Sequence, residues 1–147
     1  MNRVMGTPVD FEQLVEAIGD AVVVSDAAGA ISLWNPAAER LFGFTHAEAL
    51  GNSLDLIIPE RLRERHWAGF RKTMASGETR YAHDVLRVPA VHKDGRPLSI
   101  AFTVGLLFGP RGEPAGIVAV VRDETQSFAE KRTLLKRLAE CEGKTAR

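Results

Sequence analysis

The spacing of apolar residues changes along this chain, and that change restricts the fold more than any single motif does. Near the start they form two short runs, Ala21 to Ser25 and Ala30 to Trp34. Asp26-Ala27-Ala28-Gly29 separates the runs with a glycine free to take positive φ, as a β-hairpin requires. From Asn35 to Ser76 the apolar positions follow a helical period, and from Tyr81 the period becomes two. Leu86, Val88 and Ala90 alternate against Arg87, Pro89 and Val91, Leu98, Ile100, Phe102, Val104 and Leu106 alternate in the strand that follows, and a last strand runs from Ala115 to Arg122. Lys93-Asp94-Gly95-Arg96 and Gly109 to Pro114 supply the turns between these strands. A hairpin, a helical insert and a meander predict an α/β (α+β) domain in which the insert covers one face of an antiparallel sheet.

Within the insert, Asn35-Pro36 opens a helix that Gly43 ends, and Thr45-His46-Ala47-Glu48 has the form of a capping box. Asn52 to Ile58 reads as a loop with a helical turn. Pro59 to Ser76 is predicted to be the longest helix of the body, stopped by Gly77. One arc of it carries Leu62, His66, Trp67, Gly69, Phe70, Thr73 and Met74, and the opposite arc Glu60, Arg61, Glu64, Arg65, Arg71 and Lys72. His66 therefore sits in the middle of the inward face. Outside the body, residues 10–18 form a short amphipathic helix capped by Asp10, with Phe11, Leu14, Val15 and Ile18 on one side. Thr125 to about Glu142 is a charged helix bearing Phe128, Leu134, Leu135, Leu138 and Cys141, about two heptads' worth of apolar positions.

Composition removes several classes of function. The 147 residues suit one domain, and 19 basic against 19 acidic side chains leave no electrostatic footprint for nucleic acid or anionic lipid. The apolar runs are far shorter than the roughly 20 residues of a membrane helix, and Met1 to Met5 lacks the apolar core of a signal peptide. Cys141 is the single cysteine, which suits a reducing, cytoplasmic setting. Neither a phosphate-binding P-loop nor a Gly-x-Ser-x-Gly element is present, and His46, His83 and His92 lie at spacings unlike a zinc site. His83 and Asp84, adjacent in the expected strand, point to opposite faces and form no dyad. The expectation is a binding module and not an enzyme.

Five segments in order give the chain a resemblance to the PAS domain of the S-box type. They are Val24-Ser25-Asp26 with Gly29, Trp34-Asn35-Pro36-Ala37-Ala38-Glu39-Arg40-Leu41-Phe42-Gly43, Pro59-Glu60-Arg61, Lys93-Asp94-Gly95, and Gly116 to Thr125 ending in Arg122-Asp123-Glu124-Thr125. The resemblance implies a five-stranded antiparallel sheet in the order 2-1-5-4-3, a helical flank, a ligand cavity between them and output through terminal helices. It divides the chain into an N-terminal cap helix (1–19), a sensory domain (20–124) and a C-terminal output or dimerisation helix (125–147). A homodimer formed through the N-terminal helix and the outer sheet face is expected as well, because Val22 and Val24 alternate with Val23 and leave both sides of that strand apolar, and the further partner is an unknown downstream signalling protein.

Pro59-Glu60-Arg61-Leu62-Arg63-Glu64-Arg65-His66 is similar to the pattern around the haem-ligating histidine of the rhizobial oxygen-sensor kinase family, and the interval from His66 to the Lys93-Asp94-Gly95 turn matches without a gap. That narrower resemblance implies haem b with His66 as the metal ligand. Ile57, Leu62, Phe70, Met74, Leu86, Val88, Phe102 and Val104 would line the cofactor, and Arg63, Lys72, Arg80, His83 and Arg87 are available for a cationic rim. The strand position where those sensors place an arginine falls on Leu86, with Arg87 beside it turned to the other face. Flavin is the less favoured cofactor: Cys141 is in the wrong element for the light-sensing subclass, and noncovalent binding would draw on Trp34, Asn35 and Trp67. A cofactor-free interaction module, or a small-metabolite sensor, is the alternative function.

Overall fold

A computed structural model of the protein describes residues 6–145, so the reading of Met1 to Met5 and the last two residues of the tail lie outside the described residues. The order of elements is helix α1 (Phe11–Ala17), strands β1 (Ala21–Asp26) and β2 (Ile31–Trp34), helices α2 (Pro36–Phe42), α3 (His46–Ala49) and α4 (Arg63–Ser76), strands β3 (Leu86–Val91), β4 (Pro97–Phe108) and β5 (Pro114–Asp123), and helix α5 (Thr125–Thr145). The five strands form one antiparallel sheet in the order β2-β1-β5-β4-β3, as expected. Val23 pairs with Ala119 and Val104 pairs with the same residue from the other side, so the hairpin and the meander share β5 as their seam.

The caps follow the sequence closely. Asn35 accepts from the Ala38 amide to start α2, and Thr45 and Glu48 make the reciprocal capping box of α3. The main core lies between one face of the sheet and the segment Ala37–Ile57, with Trp34, Phe42, Ile57, Leu98, Ile100 and Val121 buried in it. Asn35, 2% exposed, ties the N-terminal part together: it accepts from Val22 N at 2.8 Å and donates to the carbonyls of Val15 and Asp20. A side chain with both donors and acceptors is needed there because three backbone segments converge without pairing one another.

Besides one-residue shifts at the ends of β1, β2 and β5, four boundaries differ from the sequence reading. The period-two segment does not begin at Tyr81: Arg80–Ala82 is a 3-10 turn, and His83 and Asp84 precede β3 in no strand at all. The stretch from Pro59 to Ser76 is broken into a 3-10 turn, Glu60–Leu62, and α4 proper, because the Leu62 amide bonds to the Pro59 carbonyl before the α-helical ladder begins. Helix α5 runs three residues past Glu142, to Thr145. Helix α1 ends at Ala17, and its apolar side is not buried: Phe11 is 75% exposed.

Candidate functional site

Helix α4 ends cleanly at Gly77, whose φ of 71° is the left-handed conformation that glycine adopts without strain. Its inward arc is mostly the expected one: Leu62, His66, Trp67, Thr73 and Met74 are half-buried and Phe70 is buried, while Gly69 proves exposed. Three contacts from other segments fix its position. The Trp67 indole N–H donates to Asp55 Oδ1 at 2.7 Å, and its six-membered ring rests on Gly29, where a Cβ would overlap it. Arg63 Nε donates to the Ile58 carbonyl at 3.1 Å. The His66 ring stands edge-on to Trp67 with centroids 4.7 Å apart and lies 6.2 Å from Phe70.

His66 Nδ1 is buried and has no hydrogen-bond partner. Burial lowers the pKa of this imidazole, with the Asp55 carboxylate opposing the shift. The ring is therefore neutral at neutral pH, with a nitrogen able to act as a ligand.

The opposite wall is the inner face of the sheet. By register, Ala21, Val23 and Ser25 of β1 share that face with Ile117, Ala119 and Val121 of β5, with Ile100, Phe102, Val104 and Leu106 of β4, and with Leu86, Val88 and Ala90 of β3. The end bearing Leu98, Ile100 and Val121 is closed over, whereas Val104, Leu106 and Ile117 are only half-buried although they belong to the central strands. Helix α4 packs towards β5, yet no α4 residue belongs to the main core cluster. The longest helix of the body therefore packs on the sheet outside the main core. A groove of about 530 Å³ opens between α4 and the β1–β2 turn, lined by Ala27, Ala28, Ser53, Trp67, Phe70, Arg71 and Met74. That volume is in the range of small-molecule sites, roughly 300–1,000 Å³.

The structure sorts the expected lining residues into groups. Ile57, Val88 and Phe102 join the main core, and Phe70 and Met74 flank the groove. Leu62, Leu86 and Val104 are half-buried, the last two by register on the inner face. Of the rim cations, Arg63 and Arg80 are engaged by Asp55 and Tyr81, and Arg87 lies on the outer face paired to Glu124 at 3.2 Å. Lys72 and His83 are exposed.

Trp34 is buried against Phe42 and donates to the Phe44 carbonyl. With Asn35 also committed, neither side chain is available to hold a flavin. Ser25, Gly29 and Asp55 escaped sequence reasoning as site residues. The signal for Ser25 was present, since it follows Ala21 and Val23 at the same inward parity.

Among the described residues, no cluster of three or more His, Cys, Asp or Glu could hold a metal ion. A porphyrin-bound iron needs only one protein nitrogen, which the half-buried His66 imidazole would supply, although His66 is not among the residues that line the groove. No helix among the described residues is long and apolar enough to cross a membrane.

A family model described as the PAS fold matches residues 10–123. The chain is 28% identical over 130 residues to the sensor protein FixL of Bradyrhizobium diazoefficiens, an alignment covering 87% of this chain and 26% of that one. It is also 28% identical over 121 residues to the oxygen sensor protein DosP of Escherichia coli, covering 82% of this chain and 15% of the relative. The chain thus spans about a quarter or less of these relatives' lengths. Among solved structures, the PAS domain of a protein from Colwellia psychrerythraea superposes with a TM-score of 0.68 at 22% identity, over 79% of this chain and 95% of that one.

Proposed function

The chain belongs to the PAS family, and from that premise we propose that it is a sensory module binding haem b through His66 to detect a diatomic gas or a redox change. The observation carrying this reading is the buried, unpartnered Nδ1 of His66 on a helix that leaves the facing sheet half-covered. An imidazole without a partner in an apolar wall is costly unless something occupies the space beside it. The likeness to the oxygen sensor protein DosP of Escherichia coli gives additional support.

Bound haem would supply an iron able to take a gas molecule or change oxidation state. The rest falls to the chain's own side chains. Leu62, Phe70, Met74 and Ile57 would pack one side of the site and Leu86, Val88, Phe102 and Val104 the other, keeping water out. A shift of β4 has a direct route to the output helix. The Ser99 amide donates to Thr125 Oγ1 at 3.0 Å, and the Glu124 amide donates to the Ser99 carbonyl at 2.8 Å. Arg87 on β3 holds Glu124 as well. Strain on the inner face would therefore reach the first turn of α5.

In this reading residues 1–19 cap a sensory domain of 20–124, and residues 125–147 form the output helix. The module works in the cytoplasm as a homodimer, passes its state to a downstream signalling protein and performs no catalysis. Exposed Val9 just before α1, Phe11 and Leu14 on it, and Val120 on the outer sheet face support the dimer.

The test is hemin titration of wild type and His66→Ala with absorption spectra of each. A Soret band in wild type that is lost in the variant, with unchanged far-ultraviolet circular dichroism, is expected. Identical spectra would defeat the haem assignment and leave a cofactor-free interaction or metabolite-sensing module.

A further inference from the structure

The groove between α4 and the β1–β2 turn has a single charged lining residue, Arg71. Among the described residues its guanidinium makes no salt bridge and no hydrogen bond. The positions one turn away on its own helix are Trp67, Ala68, Met74 and Ala75, so no carboxylate stands at the spacing where a helical ion pair forms. The aspartates next to the lining segments are committed elsewhere. Asp26 Oδ1 accepts from the amides of Ala28 and Ala30, and Asp55 Oδ1 accepts from the Trp67 indole and lies 3.9 Å from Arg63 Nε. The groove is therefore left with one uncompensated positive charge.

The rest of its surface is mainly apolar, and its walls are tied together. Trp67, Phe70 and Met74 form the helix wall, the two rings meeting edge to face with centroids 5.1 Å apart. Ala27 and Ala28 form the opposite lip, and contact of the Trp67 ring with Gly29 sets the spacing between lip and helix. The Ala30–Ser53 bridge, with the Leu54 amide donating to the Gly29 carbonyl at 3.3 Å, joins that lip to the segment that carries Ser53. Ser53 Oγ accepts from the Asp55 amide at 3.1 Å, which leaves its own proton to donate. A cleft of about 530 Å³ held in this way needs little rearrangement to take a ligand.

We propose that this groove binds a small carboxylic acid with an aromatic body, its ring against Trp67, Phe70 and Met74 and its carboxylate on the Arg71 guanidinium. The aromatic and thioether wall favours a ring over an aliphatic chain. One guanidinium balances one negative charge, and its planar fork of donors matches a carboxylate. The site is independent of the haem reading, since His66 lines no part of the groove.

The experiment uses the full chain without hemin, so its result and that of the hemin titration are separable. Wild type, Arg71→Gln and Arg71→Glu are titrated by calorimetry with 3-phenylpropanoate and with its neutral amide, 3-phenylpropanamide. Tryptophan emission is followed in parallel, because Trp67 lines the groove whereas Trp34 is buried in the core. Position 71 is exposed on a helix, where Gln and Glu are both good helix formers, so both variants fold. Wild type should bind the acid at least about tenfold more tightly than the amide, with a change in emission that Trp67→Phe removes. Arg71→Gln should weaken the acid about tenfold and leave the amide within about twofold, and Arg71→Glu should abolish binding of the acid. Equal affinity of wild type for acid and amide, an unchanged affinity in Arg71→Gln, or no heat and no emission change with millimolar acid each overturns the proposal. So does a concentration-dependent dimer that Arg71→Glu dissociates and the acid leaves intact, which would make the groove a contact between copies of this chain.

Discussion

Replacing Gly29 by alanine tests whether the packing of Trp67 on the β1–β2 turn is what positions α4. Gly29 has a φ of 89°, which costs an L-residue about 1–2 kcal/mol. The added Cβ also falls within the Trp67 indole, so the ring must move. Moving it breaks the 2.7 Å bond to the Asp55 carboxylate, worth about 1.5–3 kcal/mol, and the edge-on contact with Phe70 at 5.1 Å, worth about 0.5–1.5 kcal/mol. The total is about 3–6.5 kcal/mol, a large share of the stability of a domain this size.

The assay is a double-mutant cycle by urea unfolding with Gly29→Ala, Trp67→Leu and the pair. In the Trp67→Leu background the alanine should cost only the backbone strain, about 1–2 kcal/mol, leaving a coupling of about 2–4 kcal/mol. Equal cost of Gly29→Ala in both backgrounds would refute the claim that Trp67 anchors the helix through this glycine.

Other outcomes follow from the same contacts. Asn35→Ala removes an N-cap and orphans the buried Val22 amide, and should cost about 4 kcal/mol in a denaturant melt; a loss below about 1 kcal/mol would contradict the bracing role. Because burial holds the His66 pKa below its ordinary 6.5, the unfolded chain takes up a proton first on acidification. Stability of the metal-free protein should therefore be complete above about pH 6.5 and fall below it, until His66 itself protonates. The slope is at most about 1.4 kcal/mol per pH unit, less for the partial exposure of the ring, and is absent in His66→Leu; an equal slope in that variant would count against it. Phe11→Glu with Leu14→Glu should convert a dimer into a monomer by light scattering, and a wild type that is monomeric at high concentration would dispose of the dimer.

Much of the architecture was legible before any coordinates, for local reasons. Asn35-Pro36, Thr45-His46-Ala47-Glu48 and the glycines at 29, 43 and 77 encode caps and turns in a few adjacent residues. Alternation along Leu98 to Leu106 marked the inner face that the register shows. The misread boundaries have equally local causes. Tyr81 to Ala82 has strand-like composition, but Thr79 accepts from the Tyr81 amide and closes a 3-10 turn instead. Gly69 sits at the angular margin of the inward arc, where a Cβ would meet nothing within 4 Å from the rest of the fold.

The site divides in the same way. That His66 lies on the apolar side of α4 is a property of the helical period, and sequence alone determined it. That its Nδ1 has no partner was decided by tertiary structure, as was the unmet hydroxyl of Ser25 and the half-cover of Leu106 and Ile117. Hydrogen-bond satisfaction depends on which atoms arrive from distant parts of the chain. Here Gly29 and Asp55 arrive to hold Trp67, while no hydrogen-bond partner arrives at Nδ1 of the imidazole one residue before it. Periodicity fixes a side chain's direction from its own neighbours, but the space it points into is set by the distance between two surfaces, which no local pattern records.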